Sequence, residues 1–293
     1  MAEILDGKAV SDFFKQEIAK EVLAITAAGN RAPHLVAILV GNDGGSKTYV
    51  EAKKKACKLV GFEGTVLYFP DTISQDELLA KVNEINDDPN IDGLIVQLPL
   101  PKHINENAVT QTIVPEKDVD GFHDINMGKL AKGDNSGYTS ATPLGITMLL
   151  KYYGIETAGK HAVVIGRSNI VGRPMSILLS NSSETGNATV TLTHSRTQNL
   201  KDITLQADII VAAIGQPNFV SADMVKPGAI VIDVGITRLD DSSKKAGWRL
   251  AGDVDFAAVE KIAGKITPVP GGVGPMTVIG LLYNTLQARK RQL

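Results

Sequence analysis

The chain has 293 residues, of which 43% are apolar, and this is enough to build the cores of one large or two medium domains. Its 30 basic and 32 acidic residues nearly cancel, which gives no electrostatic case for binding nucleic acid or a membrane surface. The single cysteine, Cys57, excludes an internal disulfide, and neither a signal core nor a bilayer-spanning apolar run is present, so we expect a cytoplasmic protein.

The first half of the chain alternates segments of helical and strand periodicity. We predict helices over residues 7–28, 46–60 and 74–85, and strands over 35–40, 65–69 and 93–96. Ser74 and Glu77 form a capping box, and Asn105 is predicted to cap a short helix that ends before Pro115. Residues 41–45 are rich in glycine and predict a turn. The alternation favours a parallel sheet with sites at the carboxyl ends of its strands.

The second half begins with a loop-like stretch over 115–137 and a helix over 143–152. Strands are then predicted over 161–165, 188–193, 208–214 and 229–234, with helices over 171–179 and 276–290. Residues 238–249 are polar and indicate a surface excursion. We predict an α/β protein of two domains, 1–142 and 143–275, each a mostly parallel sheet flanked by helices, with a cleft between them. Helix 276–293 is expected to join the first domain.

A strand–loop–helix unit over residues 161–174 has the features of a dinucleotide site. A buried apolar strand ends at Gly166, and Pro174 fits the first turn of the following helix. The loop between them holds Ser168 where the usual GxGxxG fingerprint has its middle glycine, and it closes at Gly172. Free N–H groups at a helix start bind phosphates, which predicts a Rossmann-like second domain. An ordinary strand–turn–helix fits the same residues.

Helix 46–60 contains the most informative lysine of the chain. At 100° per residue, Lys53 falls on one stripe with Tyr49, Ala56 and Val60, whereas the other lysines of this helix point elsewhere. A lysine on a buried face either snorkels to water or is a partly dehydrated amine with a lowered pKa, able to donate and accept protons. Both interpretations remain open.

Two polar features follow the strand at 93–96. Gln97 stands at its carboxyl end, where the amide either caps nearby backbone or faces a ligand. The run from Asp118 to Gly121 is either a plain Asx turn or part of a functional site. The five histidines show no ligand spacing, so we predict no metal site.

The choice of cofactor follows from an absent carboxylate. NAD-binding folds place Asp or Glu after the second strand to hold the ribose hydroxyls. Here that strand is followed by the segment from His194 to Thr197, which contains no acid, and Arg167 stands in the glycine loop. Hydroxyls and arginines suit a 2′-phosphate, so NADP is predicted. The alternative is a polar loop without a ligand.

Several longer strings resemble the bifunctional methylenetetrahydrofolate dehydrogenase/methenyltetrahydrofolate cyclohydrolase family from end to end. They are Val40-Gly41 through Ser46 with Tyr49, Val50 and Lys53, the run from Val96 to Pro101, the run from Pro115 to Gly121, Gly166-Arg167-Ser168 with Val171, Gly172 and Pro174, and the run from Pro268 to Thr277. The chain departs from the family at Ser140-Ala141, at Phe62 and in the longer loop over 180–187, and none of these is a named site position.

The resemblance implies oxidation of methylenetetrahydrofolate by NADP and hydrolysis of the methenyl product by a homodimer. Residues 1–142 would bind folate and 143–275 would bind NADP. The implied catalytic residues are Lys53, Gln97, Tyr49 and Asp120. The implied folate-binding residues are Tyr49, Ser46, Gln97, Leu98, Pro99, Asp120, Gly272 and Pro275. The implied cofactor contacts are Gly166, Arg167, Ser168, Ser195, Ile236 and Thr277.

Three other functions remain open on the sequence. They are a dehydrogenase without the hydrolase step, a nucleotide-binding module without catalysis, and an NADP oxidoreductase acting on another small substrate.

Overall fold

A computed structural model provides the structure, and it describes residues 1–42, 44–244 and 247–293. Asp43, in the predicted turn over 41–45, lies outside the described residues, as do Lys245 and Ala246 in the predicted surface excursion. The helix after that turn begins at Gly44, so Gly44 and Gly45 are helical and do not belong to a loop.

The secondary structure alternates along most of the chain. Up to residue 131 the elements are β1 (Glu3–Ile4), α1 (Gly7–Ala27), β2 (His34–Val40), α2 (Gly44–Val60), β3 (Glu63–Phe69), α3 (Gln75–Asp87), β4 (Gly93–Val96), α4 (Glu106–Thr112) and α5 (Asp124–Ala131). From residue 141 they are α6 (Ala141–Tyr152), β5 (His161–Ile165), α7 (Gly172–Ser180), β6 (Thr189–Thr193), α8 (Leu200–Thr204), β7 (Ile209–Ala212), β8 (Ile230–Asp233), β9 (Thr237–Asp240), β10 (Trp248–Ala251), α9 (Phe256–Val259), β11 (Lys265–Ile266) and α10 (Val273–Lys290).

The chain folds into two compact units, each made of separate segments. Unit 1 contains residues 1–11 and 142–277, and unit 2 contains residues 12–141 and 278–293. The first eleven residues belong to unit 1 because β1 pairs in parallel with β11. Close packing of the backbone also ties these residues to unit 1, since a Cβ built on Gly7 would lie 1.8 Å from the carbonyl oxygen of Gly272.

Unit 2 is built on a parallel sheet with the order β3-β2-β4. In the centre, Ala37 of β2 lies opposite Val66 of β3 and Ile95 of β4. The predicted capping box of α3 is confirmed, because the Ser74 side chain accepts from the backbone of Glu77 while the Glu77 side chain accepts from the backbone of Ser74. The short helix α4 has Asn105 as its N-cap, as predicted.

The loop predicted over residues 115–137 is wrong in its middle, where α5 forms. Its N-cap is His123, whose Nδ1 accepts from the backbone N–H of Ile125 at 3.1 Å. Ser, Thr, Asp and Asn are the usual caps, and α5 has only 8 residues, so the sequence carries no strong signal for this helix.

Unit 1 contains a parallel sheet with the order β1-β11-β8-β7-β5-β6. The predicted apolar strand β5 is buried from Ala162 to Ile165 and lies inside the sheet, paired with β6 on one side and β7 on the other. The chain proceeds from β5 to β6 on one side and to β7 on the other. This reversal opens a crevice at the carboxyl ends of β5 and β7, which is where doubly wound sheets bind dinucleotides.

The predicted polar excursion over 238–249 contains two strands. β9 and β10 pair antiparallel, with Arg238 opposite Leu250. The Arg238 guanidinium lies 4.4 Å from the centre of the Trp248 ring, a cation–π contact between the two strands. The strands have four residues each, too few for periodicity to show in the sequence.

Candidate active site

Helix α2 buries one lysine among polar neighbours. Lys53 is 8% exposed and shares the buried face with Val50, Ala56 and Cys57, whereas Lys47, Lys54, Lys55 and Lys58 are exposed. The buried face is rotated toward Val50 and Cys57 relative to the predicted stripe. Tyr49 therefore lies at its edge with 36% of its surface exposed, and partial burial raises the pKa of its phenol.

The Lys53 amine is held by an amide instead of snorkelling to water. Its Nζ donates to Oε1 of Gln97 at 3.1 Å. The Nε2 of Gln97 donates to the carbonyl oxygen of Leu98 at 2.8 Å. The amide of Gln97 therefore caps nearby backbone with its nitrogen and accepts from the Lys53 amine with its oxygen.

The two carboxylates of the run from Asp118 to Gly121 have different surroundings. Asp118 accepts hydrogen bonds from the backbone N–H groups of Phe122 and His123 at 3.1 and 2.8 Å, and from Nδ2 of Asn126 at 2.8 Å. Burial raises the pKa of Asp118 to about 6 against the opposing effect of these bonds. Asp118 is thus the turn-forming residue, which leaves the second carboxylate for other contacts.

Asp120 is half-buried, and burial raises the pKa of its carboxyl while the positive charge of Lys53 opposes the shift. Gly121 has a φ of +71°, and a Cβ there would lie 2.6 Å from the backbone nitrogen of Ser140. The backbone around Asp120 is thereby fixed. An amine, an amide and a carboxyl are placed together by α2, by the end of β4 and by the loop before α5.

Asn284 also holds the backbone near Asp120 in place, and the sequence analysis missed this residue. Its Nδ2 donates to the carbonyl oxygens of Val119 and Thr139, both at 2.8 Å, so one amide ties together the two segments that flank Asp120. Asn284 is 3% exposed on α10. The one available signal was an asparagine close behind the apolar run Val278 to Leu282 of the last helix.

The remaining predicted folate residues lie in two places. Ser46 is buried on α2, and Leu98 and Pro99 directly follow Gln97. These three belong to unit 2 with Lys53, Gln97 and Asp120. Gly272 and Pro275 belong to unit 1, at the start of α10, where the backbone N–H of Gly272 donates to the carbonyl oxygen of Pro268 at 2.8 Å.

The loop after β5 is shaped by its glycines. Gly166 has a φ of +112°, and a Cβ there would lie 2.1 Å from the carbonyl oxygen of Ala213. A Cβ on Gly172 would lie 2.0 Å from the carbonyl oxygen of Gly166. Ser168 replaces the middle glycine of the fingerprint, and its Oγ accepts from the N–H groups of Val171 and Gly172 at 3.2 and 3.3 Å, capping the start of α7.

The surfaces around this loop suit a phosphorylated dinucleotide. Residues 167–170 are exposed between a buried strand and a buried helix start. Ser195 and Arg196, just beyond β6, are also exposed, and no carboxylate stands between Thr193 and Thr197. Ile236 is exposed after β8, and the Oγ1 atoms of Thr277 and Thr142 lie 3.0 Å apart. A tight glycine cradle with arginines and no acid fits a 2′-phosphate better than a free ribose.

Comparisons with known proteins agree with this geometry. The family described as "Tetrahydrofolate dehydrogenase/cyclohydrolase, catalytic domain" matches residues 5–120, and "Tetrahydrofolate dehydrogenase/cyclohydrolase, NAD(P)-binding domain" matches residues 140–293. The chain belongs to the tetrahydrofolate dehydrogenase/cyclohydrolase family. The family membership, the enzyme class and the two-domain α/β fold predicted from the sequence are confirmed.

Individual relatives of this family are similar over the whole chain. The bifunctional protein FolD of Cytophaga hutchinsonii is 59% identical, with 98% of both chains covered. The crystal structure of the bifunctional enzyme FolD from Campylobacter jejuni is 46% identical, covers 100% of both chains and has a TM-score of 0.93. The Trypanosoma brucei enzyme, solved as a complex with NADP cofactor and inhibitor, is 40% identical over 99% of this chain and 98% of its own, with a TM-score of 0.93.

Within the part of the chain that the structure describes, no group of three or more His, Cys, Asp or Glu side chains is arranged to hold a metal ion. Among the described helices of this family member, none combines the length and apolar character needed to cross a membrane.

Proposed function

We propose that the chain oxidises 5,10-methylenetetrahydrofolate with NADP and hydrolyses the 5,10-methenyl product to 10-formyltetrahydrofolate. The observation that carries the proposal is the hydrogen bond from Lys53 Nζ to Gln97 Oε1, with the Asp120 carboxyl influenced by the same amine. A held amine beside an amide and a carboxyl is suited to transferring protons between water and a folate nitrogen. Family membership supplies the substrate class.

In the dehydrogenase step a hydride leaves the methylene carbon, and the substrate becomes the methenyl cation. NADP, when bound, supplies the hydride acceptor. Gly166, Arg167 and Ser168 would hold the dinucleotide, with Ser195, Ile236 and Thr277 as further contacts. The role of the chain in this step is alignment of the two reactants, because no proton is transferred at the reacting carbon.

In the cyclohydrolase step water adds to the methenyl carbon and the bond from that carbon to N5 breaks. The water loses two protons: one is delivered to N5 and the other is released to solvent, while the oxygen stays on carbon as the formyl group. Lys53 is assigned the proton transfers. Gln97 orients the Lys53 amine by accepting its hydrogen bond.

The other predicted folate residues have binding roles in this proposal. Asp120 accepts hydrogen bonds from the pterin ring, which its fixed backbone and partly dehydrated carboxyl support. Tyr49, with an exposed ring at the edge of the buried face of α2, lines the pocket. Ser46, Leu98, Pro99, Gly272 and Pro275 are proposed as further folate contacts.

NADP is proposed over NAD because arginines and hydroxyls, without a carboxylate, surround the dinucleotide loop. The NADP complex of the Trypanosoma brucei relative supports this choice. We further propose a homodimer, on the resemblance to the family, and a cytoplasmic location, for which the buried free thiol of Cys57 is the support.

The test is an absorbance assay on the purified protein with methylenetetrahydrofolate and NADP, repeated with NAD. We expect NADPH to form together with 10-formyltetrahydrofolate, and little NADH. Accumulation of the methenyl compound without formyl product would indicate a dehydrogenase alone. Binding of NADP without any turnover would indicate a nucleotide-binding module, and turnover only with another substrate would overturn the folate assignment.

A further inference from the structure

A buried carboxylate lies at the carboxyl edge of the sheet in unit 1, outside every residue assigned so far. Asp253 is fully buried just after β10. Its Oδ2 accepts from the backbone N–H groups of Ile214 and Gly215 at 2.7 and 3.0 Å. These two residues follow β7, and Gly215 has a φ of +67°. One side-chain oxygen therefore fixes the first turn of the loop after β7.

A second carboxylate connects Asp253 to the neighbouring strand. Asp233 ends β8, and its Oδ1 accepts from the N–H groups of Gly235 and Asp253 at 3.0 and 2.8 Å. Its Oδ2 accepts from the N–H of Val254 at 3.0 Å. The loop after β7, the segment around Asp253 and the loop after β8 are thereby joined by hydrogen bonds to two carboxyl groups.

The loop held by Asp253 contacts the glycine loop directly. A Cβ on Gly166 would lie 2.1 Å from the carbonyl oxygen of Ala213, the residue before Ile214. The loop held by Asp233 leads to Ile236, a predicted cofactor contact. Both loops lie at the carboxyl ends of their strands, which is the binding edge of a doubly wound sheet.

The burial of the Asp253 carboxyl group does not favour the stability of the fold. Among the described residues Asp253 Oδ1 has no hydrogen-bond partner, although this oxygen is buried. A Cβ on Gly235 would lie 2.3 Å from the same oxygen, so the cradle is tight. A buried carboxylate oxygen without a protein donor is unfavourable, and each such group in a folded protein needs an explanation.

We propose that Asp253 is a positioning residue for the dinucleotide site, fixing the loops after β7 and β8 in the geometry that binds the cofactor. The proposal rests on the proposed function, because it takes the carboxyl edge of this sheet as the NADP site. It predicts that Asp253 affects cofactor binding strongly and affects chemistry that needs no cofactor very little.

The first test compares Asp253→Ala with the wild type by calorimetric titration of NADP and by methenyltetrahydrofolate hydrolysis without any dinucleotide. Asp253→Ala removes the acceptor for Ile214 and Gly215, so we expect the Kd for NADP to rise at least tenfold while hydrolysis stays within twofold. Asp253→Asn keeps one acceptor oxygen and should return the Kd to within threefold of wild type. Asp202→Asn, an exposed carboxylate of the same unit, is the matched control.

Hydrogen exchange adds a readout that does not depend on activity. The amides of Ile214 and Gly215 should exchange faster in Asp253→Ala and at the wild-type rate in Asp202→Asn. If Asp253→Ala does not fold, Gly235→Ala tests the same segment from the other side, because its Cβ would lie 2.3 Å from Oδ1 and 2.5 Å from the backbone nitrogen of Asp253 and would shift both, so it should also weaken NADP binding.

Three results would overturn the proposal: an unchanged Kd in Asp253→Ala, an equal loss of NADP binding and hydrolysis, or an Asn variant that folds like the wild type yet binds as weakly as Ala. Failure of the proposed function looks different, since the wild-type protein itself would then fail to convert methenyltetrahydrofolate or to oxidise methylenetetrahydrofolate with NADP, whatever the Asp253 variants do.

Discussion

The candidate catalytic group of unit 2 and the glycine loop of unit 1 are built by different means. In unit 2 the group consists of three side chains from separate elements: the Lys53 amine, the Gln97 amide and the Asp120 carboxyl. In unit 1 the backbone is decisive, because Gly166 and Gly172 allow approaches that a Cβ would block. Under the proposed function, chemistry should depend on side-chain identity in unit 2, and cofactor binding should depend on backbone shape in unit 1. Substitutions should therefore separate hydrolysis from cofactor binding.

The largest effect is expected from Lys53→Met, which keeps most of the bulk of the stem and deletes the amine. General acid–base help is typically worth about 10²–10⁴-fold, so hydrolysis of methenyltetrahydrofolate should fall by at least about 100-fold. Oxidation should lose less, because hydride transfer needs no proton at the reacting carbon. Released methenyl compound, followed by its absorbance, is the readout. Lys54→Met, an exposed neighbour on α2, serves as the control and should behave like wild type.

Arg167→Ala tests whether the dinucleotide loop of unit 1 selects NADP over NAD through this arginine. A charge-assisted contact to phosphate is typically worth roughly 1.5–3 kcal/mol, so kcat/KM for NADP should fall about 10–100-fold while that for NAD changes little. Steady-state kinetics with both cofactors measure the split, and Arg173→Ala removes an exposed arginine of α7 as the control. Equal losses for both cofactors would mean that Arg167 shapes the loop without contacting the 2′-phosphate.

Asn284→Ala tests how far the candidate catalytic group of unit 2 depends on the hydrogen bonds that hold the backbone near Asp120. Loss of both bonds to Val119 and Thr139 frees the backbone on either side of Asp120, so KM for folate should rise about tenfold in both reactions, or about 1.4 kcal/mol. The Kd for NADP should stay at its wild-type value. The control is Gln287→Ala on the same helix. A lower melting temperature with unchanged KM would show that Asn284 only stabilises the fold.

The smallest effect on either activity is expected from Asp118→Asn. This substitution should instead change how the melting temperature depends on pH. The pKa of Asp118 is raised from 3.8 to about 6 in the folded protein, so the native state binds a proton more tightly than the unfolded state. The stabilisation that this proton gives to the folded state is complete below about pH 4 and is lost as the pH rises through about 6. The free energy of unfolding falls by up to about 3 kcal/mol over this range. Wild-type melting temperature should therefore fall relative to Asp118→Asn between pH 4 and 7. A pH-independent difference would contradict the raised pKa.

The sequence predicts those elements whose signals are local. The strands at Gly93–Val96 and at 162–165 are apolar runs bounded by turn residues, and the capping box at Ser74 is a four-residue pattern. The buried position of Lys53 follows from helical periodicity alone. Glycines and a helix start likewise make the loop after β5 recognisable, although Ser168 breaks its fingerprint.

What the sequence does not predict depends on contacts between distant residues. Helix α5 has a histidine cap, and β1 has two residues whose pairing with β11 spans most of the chain. The roles of Asn284 and Asp253 follow from bonds to backbone more than 30 residues away. No periodicity or motif in one segment reports which distant carbonyl or N–H group a side chain will meet.

The central claim is that hydrolysis depends on the Lys53 amine in unit 2 and not on the dinucleotide loop in unit 1. Its most direct test is the rate at which added methenyltetrahydrofolate is hydrolysed, without any dinucleotide, by wild type, Lys53→Met and Arg167→Ala. We expect Arg167→Ala to match wild type and Lys53→Met to be at least about 100-fold slower. Hydrolysis at the wild-type rate by Lys53→Met, or equal losses in both variants, would contradict the claim.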